Sequence, residues 1–446
     1  MQTVIENPRN GCGLHGALQT VSEIKGCVPI VHSNAGCAIQ NYLANSASGL
    51  GNGYVSGYSI PATDSQERHI IFGGASRLRE QIKNTVKVVQ GDLYIVLNSC
   101  ESAMVGDDID AMTREAQEQG EAVIDSLTAG FHGDSHYGYE NVLVDILKKL
   151  PVVKKNMGEK KENLVNIFGI LPGKDVYFRG DIEEIKRILE GIGLQVNTFF
   201  GPTNGVEELV NAPNASLNLV FSKWGIKVAE ELEKLYDIPR ITFPSVPTGI
   251  REVKSFVQAV AKQLTLEEER VQNFIQKEEE QFRYYFRGII DSYYKEHVGK
   301  AVGIVGDEST VIRTASYLKN YLGVIIEAAI ITDFFPSDDN PHSEKAEQLK
   351  GLAREVFFSQ DGKEINRILK NRDIELILGS SLEDKAAEKK GIVNLKIAYP
   401  IYDTAVINKT YAGIRGALTL TEDFITKVKE GNRIREEQLE KVIQSK

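Results

Sequence analysis

Three cysteines stand where loops leave predicted core elements. Cys12 lies in the glycine turn GCG, Cys37 follows HSNAG after the apolar run Val28–Val31, and Cys100 closes the run LYIVLNS ahead of ESAMVGDDIDAM. Thiolates are nucleophiles and soft ligands, suited to zinc and to iron–sulfur clusters. In a parallel sheet the loops at the strands' carboxyl ends gather on one crest, so three distant thiols can meet there. The intervals, from 12 to 37 and from 37 to 100, are too long for a C-x-x-C zinc ribbon and point to a site assembled by the fold. Three thiolates do not complete such a site. Structural zinc and an iron–sulfur cube each take four ligands. The remainder comes either from elsewhere in this chain or from another subunit across an interface. Cys27, set among the apolar neighbours of KGCVPIVHS, reads as a buried structural thiol.

Other chemical-looking strings carry less. GCGLHG (Gly11–Gly16) matches G-x-G-x-x-G, but the polar turn ENPRN precedes it where a dinucleotide site needs a strand. Its glycines instead let backbone approach something bulky. The glycine-rich run SASGLGNGYVSGYS (Ser46–Ser59) lacks the G-x-x-x-x-G-K-S/T loop, which occurs nowhere in the chain, so any use of ATP falls to a partner. GDES after Val305 reads as a βα turn with a capping side chain rather than a phosphate cradle. FHGDSH (Phe131–His136) lacks a zinc-binding arrangement, and no G-x-S-x-G elbow is present.

The elements that must position the cysteines alternate apolar strand-like runs with amphipathic helical stretches, the pattern of βα units. The expected fold is α/β, with three Rossmann-like domains whose mostly parallel sheets are flanked by helices. An N-terminal α/β domain is expected over 1–160 and a second over 161–264. A charged connecting helix follows over 265–298, and a third domain over 299–446 ends in a helical segment. The Glu and Arg runs of the connector read as a solvated face. At 446 residues, 42% apolar and 26% charged, the chain has globular composition. Its net charge of −10 argues against a nucleic-acid partner. No apolar run is long enough for a membrane span and no secretory leader is visible, so a cytoplasmic location is expected.

Taken in order, GCG, IVHSNAGC, FGGASRLREQI and LYIVLNSCESAMVGDDIDAM resemble component 1 of nitrogenase and its relatives. The similarity continues through YFRGDIEEIKRILEGIG, ITFPSVPTGIREV and the terminal LILGSS and KIAYPIYD. The most specific part is Gly36-Cys37, then Ser99-Cys100, then Gly106-Asp107-Asp108. The resemblance implies that Cys12, Cys37 and Cys100 are iron–sulfur ligands. Their cluster, of the 8Fe-7S P-cluster type or a 4Fe-4S cluster, would be shared with a pseudo-symmetric partner across the subunit interface. It places Gly11, Gly36 and Ser99 against the cluster, together with Asp134, or Ser135 if the register slips, where the family has a serine beside its cluster.

Because no cysteine follows Cys100 and the ending AYPIYDTAVINKTYAGIRGAL has no histidine, the chain resembles the β-type rather than the α-type subunit. That implies an α-type partner in an α2β2 heterotetramer and a homodimeric, ATP-hydrolysing reductase carrying a 4Fe-4S cluster. The implied role is relay of electrons to the partner's metallocluster for reduction of N2 or of a C–S compound such as a methylthio-alkane. The short segment before Cys12 departs from the longer arm of the molybdenum enzyme's β chain. An assembly scaffold, a tetrapyrrole-type reductase and a cluster-free structural subunit are the competing readings.

Overall fold

A computed structural model describes residues 5–39, 60–155, 158–334 and 349–444; the glycine-rich run Ser46–Ser59 lies outside them. Among the described residues the strands form three sheets, and every strand pairing within them is parallel. The first sheet holds β1 (Cys27–His32), β2 (Leu93–Asn98) and β3 (Val123–Ser126) in that order. The second has the order β5 (Gln195–Asn197), β4 (Leu164–Phe168), β6 (Leu217–Val220), β7 (Arg240–Thr242). The third has the order β10 (Ala353–Phe358), β9 (Ile325–Ile331), β8 (Ala301–Gly306), β11 (Leu376–Gly379), β12 (Val393–Lys396). That last order is the doubly wound pattern of dinucleotide-binding folds, with its switch between β8 and β11.

The chain divides into two compact units. One comprises residues 1–9, 174–192 and 244–446, the other 10–173 and 193–243. The second contains the first two sheets and every cysteine. CVPIVH and LYIVLN are continuous apolar runs because β1 and β2 are covered on both faces, and all twelve of their residues are buried. The helix Ala75–Val88 buries Leu78, Ile82 and Thr85, one face at helical spacing, in a core with Val28, Ile30, Tyr94 and Val96. Register then does the functional work. Cys27 pairs with Leu93 and His32 with Asn98, so β1 and β2 end at the same level. The loop to Cys37 and the turn to Cys100 therefore leave one edge together.

The other unit carries the third sheet. Asp307 caps the helix Glu308–Leu322 by accepting from the Thr310 amide, so GDES is the capped βα turn its sequence indicated. The stretch 265–297 is helical but broken. Glu268–Phe286 is followed by a single 3-10 turn, Arg287–Ile289, and then Ile290–Glu296. Its charged face is not wholly solvated, because buried Glu278 accepts from Arg187 at 2.7 and 2.8 Å. No described helix is long and apolar enough to cross a membrane.

This unit is also held by a buried ion pair. Arg313 donates to Asp181 Oδ2 at 2.5 Å, while Asp181 Oδ1 accepts from Thr410 Oγ1 and from the amides of Tyr411 and Ala412. Removing the carboxylate strands a buried guanidinium and three donors. Asp181→Ala is expected to lower the unfolding free energy by about 3–5 kcal/mol, read as a lower urea midpoint at unchanged slope.

Candidate functional site

Cys12 forms the N-cap of helix α1 (Gly13–Ser22), and Cys100 is the first residue of the helix Cys100–Val105, capped by Ser99. All four cysteines are free thiols; Cys27 is buried, Cys12 and Cys37 are half-buried, and Cys100 is exposed. Cys12 and Cys100 converge on Gly130. A Cβ built there would lie 3.2 Å from each of their sulfurs and 2.8 Å from Cys12 Cβ. The Gly130 amide donates to Cys100 Sγ at 3.2 Å. Cys37 belongs to the same neighbourhood. Burial raises its thiol pKa first, the charges of Cys12, Glu101 and Cys100 add to that, and a hydrogen bond with Ser33 opposes it.

At Cys12 burial also acts upward, but it is outweighed by His15, whose Nδ1 stands 3.6 Å from the sulfur, and by amides of the first turn. The net pKa lies below that of an ordinary thiol. Buried Cys27 is pushed strongly upward by desolvation, with the charge of Asp92 adding to it. It is kept protonated and inert, as its apolar neighbours indicated. Among the described residues no three His, Cys, Asp or Glu side chains close around a single metal ion.

Close backbone packing fixes the Cys12 turn. The Ser135 amide donates to Gly11 O at 2.8 Å, and the Gly13 amide to Gly133 O at 2.9 Å. Gly16 abuts the start of the helix Ser135–Val153 so closely that a Cβ would sit 1.8 Å from Ser135 O. From the other side, a Cβ on Gly138 would sit 2.0 Å from Gly13 O. The bulky object that the GCGLHG glycines approach is this helix. Asp134 is its N-cap. Oδ1 accepts from the amides of His136 and Tyr137, and Oδ2 contacts Asn10 Nδ2 and His136 Nδ1, each at 3.2 Å. Both carboxylate oxygens are thus engaged within the chain, and the backbone of Asp134 bridges to Cys12. The neighbouring Ser135 Oγ is buried without a partner among the described residues.

The other edge residues serve the strand ends. Ser99 Oγ accepts from the Ser102 amide, and Ser102 Oγ donates to the carbonyl of His32, tying the turn after β2 to the end of β1. Gly36 donates its amide to Asn34 Oδ1 at 2.8 Å. In the GDD string Gly106 is the left-handed C-cap with φ 78°, and Asp108 caps the next helix. Asp107 holds buried His32 Nε2 at 2.9 Å and the Gly74 amide at 2.6 Å. Three contributors carried no sequence signal as site residues: Gly130, His15 and the Asn34–Glu101 pair. Gly130 and the Asn34–Glu101 pair act through contacts that the fold alone creates, whereas His15 reaches Cys12 from three residues on at the same helix start. Exposed apolar side chains lie close by in the chain, among them Phe72 (87% exposed), Met104 (80%) and Phe131 (58%).

Comparison with known proteins shows what the chain as a whole is similar to. Residues 12–429 match the family described as nitrogenase component 1 type oxidoreductase. The nitrogenase molybdenum-iron protein beta chain of Methanococcus maripaludis is 25% identical, with 94% of each chain covered. The vanadium-iron protein beta chain of Trichormus variabilis is 24% identical over 92% of this chain and 91% of its own. The iron-molybdenum cofactor biosynthesis protein NifE of Clostridium pasteurianum is 25% identical over 86% of this chain and 81% of its own. A solved structure of nitrogenase Cp1 at pH 6.5 shares the fold, with a TM-score of 0.79 at 21% identity over 96% of this chain and 94% of that one.

Proposed function

Because the chain belongs to the nitrogenase component 1 type oxidoreductases, we propose that it is the β-type subunit of such a complex. In this reading Cys12, Cys37 and Cys100 hold one half of an iron–sulfur cluster, of the 8Fe-7S or the 4Fe-4S kind. An α-type subunit holds the other half within an α2β2 assembly. The observation that carries the reading is the approach of the Cys12 and Cys100 sulfurs to one glycine, Gly130, whose missing side chain leaves room and whose amide already serves one sulfur.

Bound there, an iron–sulfur cluster stores and releases single electrons. The chain's own residues hold and tune the site. His15 and the first turn of α1 favour the thiolate of Cys12, the Gly130 N–H stabilises charge on Cys100 Sγ, and Gly16 with Gly138 sets the depth of the Cys12 turn. Exposure of Cys100 leaves that sulfur accessible to a group contributed from outside the chain. Electrons come from a homodimeric ATP-hydrolysing reductase with a 4Fe-4S cluster. Such a centre, shared between the subunits, would pass them to the α-type subunit for reduction of N2 or of a C–S compound.

Co-expression with the α-type chain and anaerobic purification test the reading. Iron beyond that of the partner's own cofactor is expected, together with substrate reduction that needs the reductase and ATP. Iron without such turnover would favour the assembly-scaffold role, which the likeness to NifE proteins supports. A complex without iron in this chain's half overturns the proposal.

A further inference from the structure

The loops that carry Cys37 and Cys100 are tied together by one pair of side chains. Asn34 Nδ2 donates to Glu101 Oε2 at 2.8 Å, and Asn34 Oδ1 accepts the Gly36 amide at 2.8 Å. One amide side chain therefore grips the residue before Cys37 with its oxygen and the residue after Cys100 with its nitrogen. The grip is close. A Cβ on Gly36 would stand 2.9 Å from Asn34 Oδ1, inside any ordinary contact. The common level at which β1 and β2 end makes the span short enough for these two side chains to bridge.

An acid in the first turn suits the helix dipole, yet that accounts for Glu101 only in part. The helix Cys100–Val105 already has its cap in Ser99, so it does not require this carboxylate for that purpose. Glu101 Oε1 is withdrawn from water and receives no hydrogen bond from the described residues, an arrangement that costs stability. Buried polar atoms left unpaired against local economy concentrate at functional sites.

We propose that Asn34 and Glu101 are positioning residues, a latch that fixes the spacing of the Cys37 and Cys100 thiols for the group they bind. The proposal rests on the cluster reading given above, and its test keeps the two separable. In the full-length chain free of iron, hydrogen exchange is followed by mass spectrometry on peptides spanning residues 33–38. Asn34→Ala is expected to speed exchange at the Gly36 amide roughly five-fold by the loss of one hydrogen bond, and Glu101→Ala to speed it as well by releasing the Asn34 side chain. In the assembled complex, Asn34→Ala and Glu101→Ala are expected to lose iron and to change the line shape of the cluster's electron paramagnetic resonance signal. Glu101→Gln keeps an acceptor oxygen for Asn34 Nδ2 and is expected to restore both.

Unchanged exchange, iron and line shape in the two alanine variants overturns the latch. So does a Glu101→Gln complex that departs from wild type as far as Glu101→Ala, because charge and not the hydrogen bond would then be acting. A wild-type complex without iron overturns the cluster reading alone, and the exchange measurement still decides whether the latch exists.

Discussion

Alanine in place of Cys100 is expected to strip iron from the assembled complex and abolish its ATP-dependent reduction, while the chain's far-UV circular dichroism stays unchanged. Ligand and scaffold are separable at this position. Cys100 is exposed and begins a helix whose cap, Ser99, is untouched by the change. Its sulfur accepts the Gly130 amide, and removing it leaves that N–H on an exposed contact that water can fill. The stability cost should be within about 0.5 kcal/mol, as for other surface substitutions. Cys12→Ala and Cys37→Ala should behave alike in iron content, since each removes one thiolate from the same half-site. Cys27→Ala supplies the contrast. That thiol is buried in β1 opposite Leu93, and desolvation keeps it protonated. Its loss should cost about 1 kcal/mol of packing and no iron. Full iron in a Cys100→Ala complex would sink the ligand assignment.

The legible part of this chain was the part written locally. LYIVLN and CVPIVH announce strands covered on both faces because every residue is apolar or, as with Asn98 and His32, stands at the end. Cysteines placed just beyond them inherit a position on the crest. β3 was not legible, because its four residues, VIDS, form too short a run and two of them are polar. The broken connector escaped for a related reason. FRYYFRGIIDSYY keeps helical composition through the 3-10 turn at Arg287–Ile289, and its one local mark, Gly288, is a residue that helices also tolerate. Site residues divide in the same way. The cysteines stand out as candidates by type and place. Gly130, thirty residues beyond Cys100, becomes part of the site only when the turn after β3 folds back over the ends of α1 and β2. Asp134 is a candidate by resemblance, but a sequence cannot show that both its oxygens are taken up by amides and side chains around its own helix start.

Gly16→Ala is expected to destabilise the chain by about 3 kcal/mol, although alanine is the better helix former by about 1 kcal/mol. Propensity loses because the new methyl would stand 1.8 Å from Ser135 O and 2.5 Å from Ser135 C, backbone atoms that cannot turn aside. The helices must separate, and Gly138 shows that the contact is mutual, its own added methyl falling 2.8 Å from the Ala17 amide nitrogen. Gly431→Ala, on the helix Gly413–Gln444, meets only ordinary contact with Val393 at 3.5 Å. It should stabilise by about 0.5–1 kcal/mol in the same urea titration. The consequence reaches the site, because the Ser135 amide holds Gly11 O and the Gly13 amide holds Gly133 O. Moving α1 off the helix Ser135–Val153 carries Cys12 away from Gly130, so iron should fall along with the urea midpoint. Cys100→Ala is expected to lose iron with the midpoint unmoved. Were both substitutions to move iron and midpoint in the same proportion, the thiols would be acting through the fold and not as ligands.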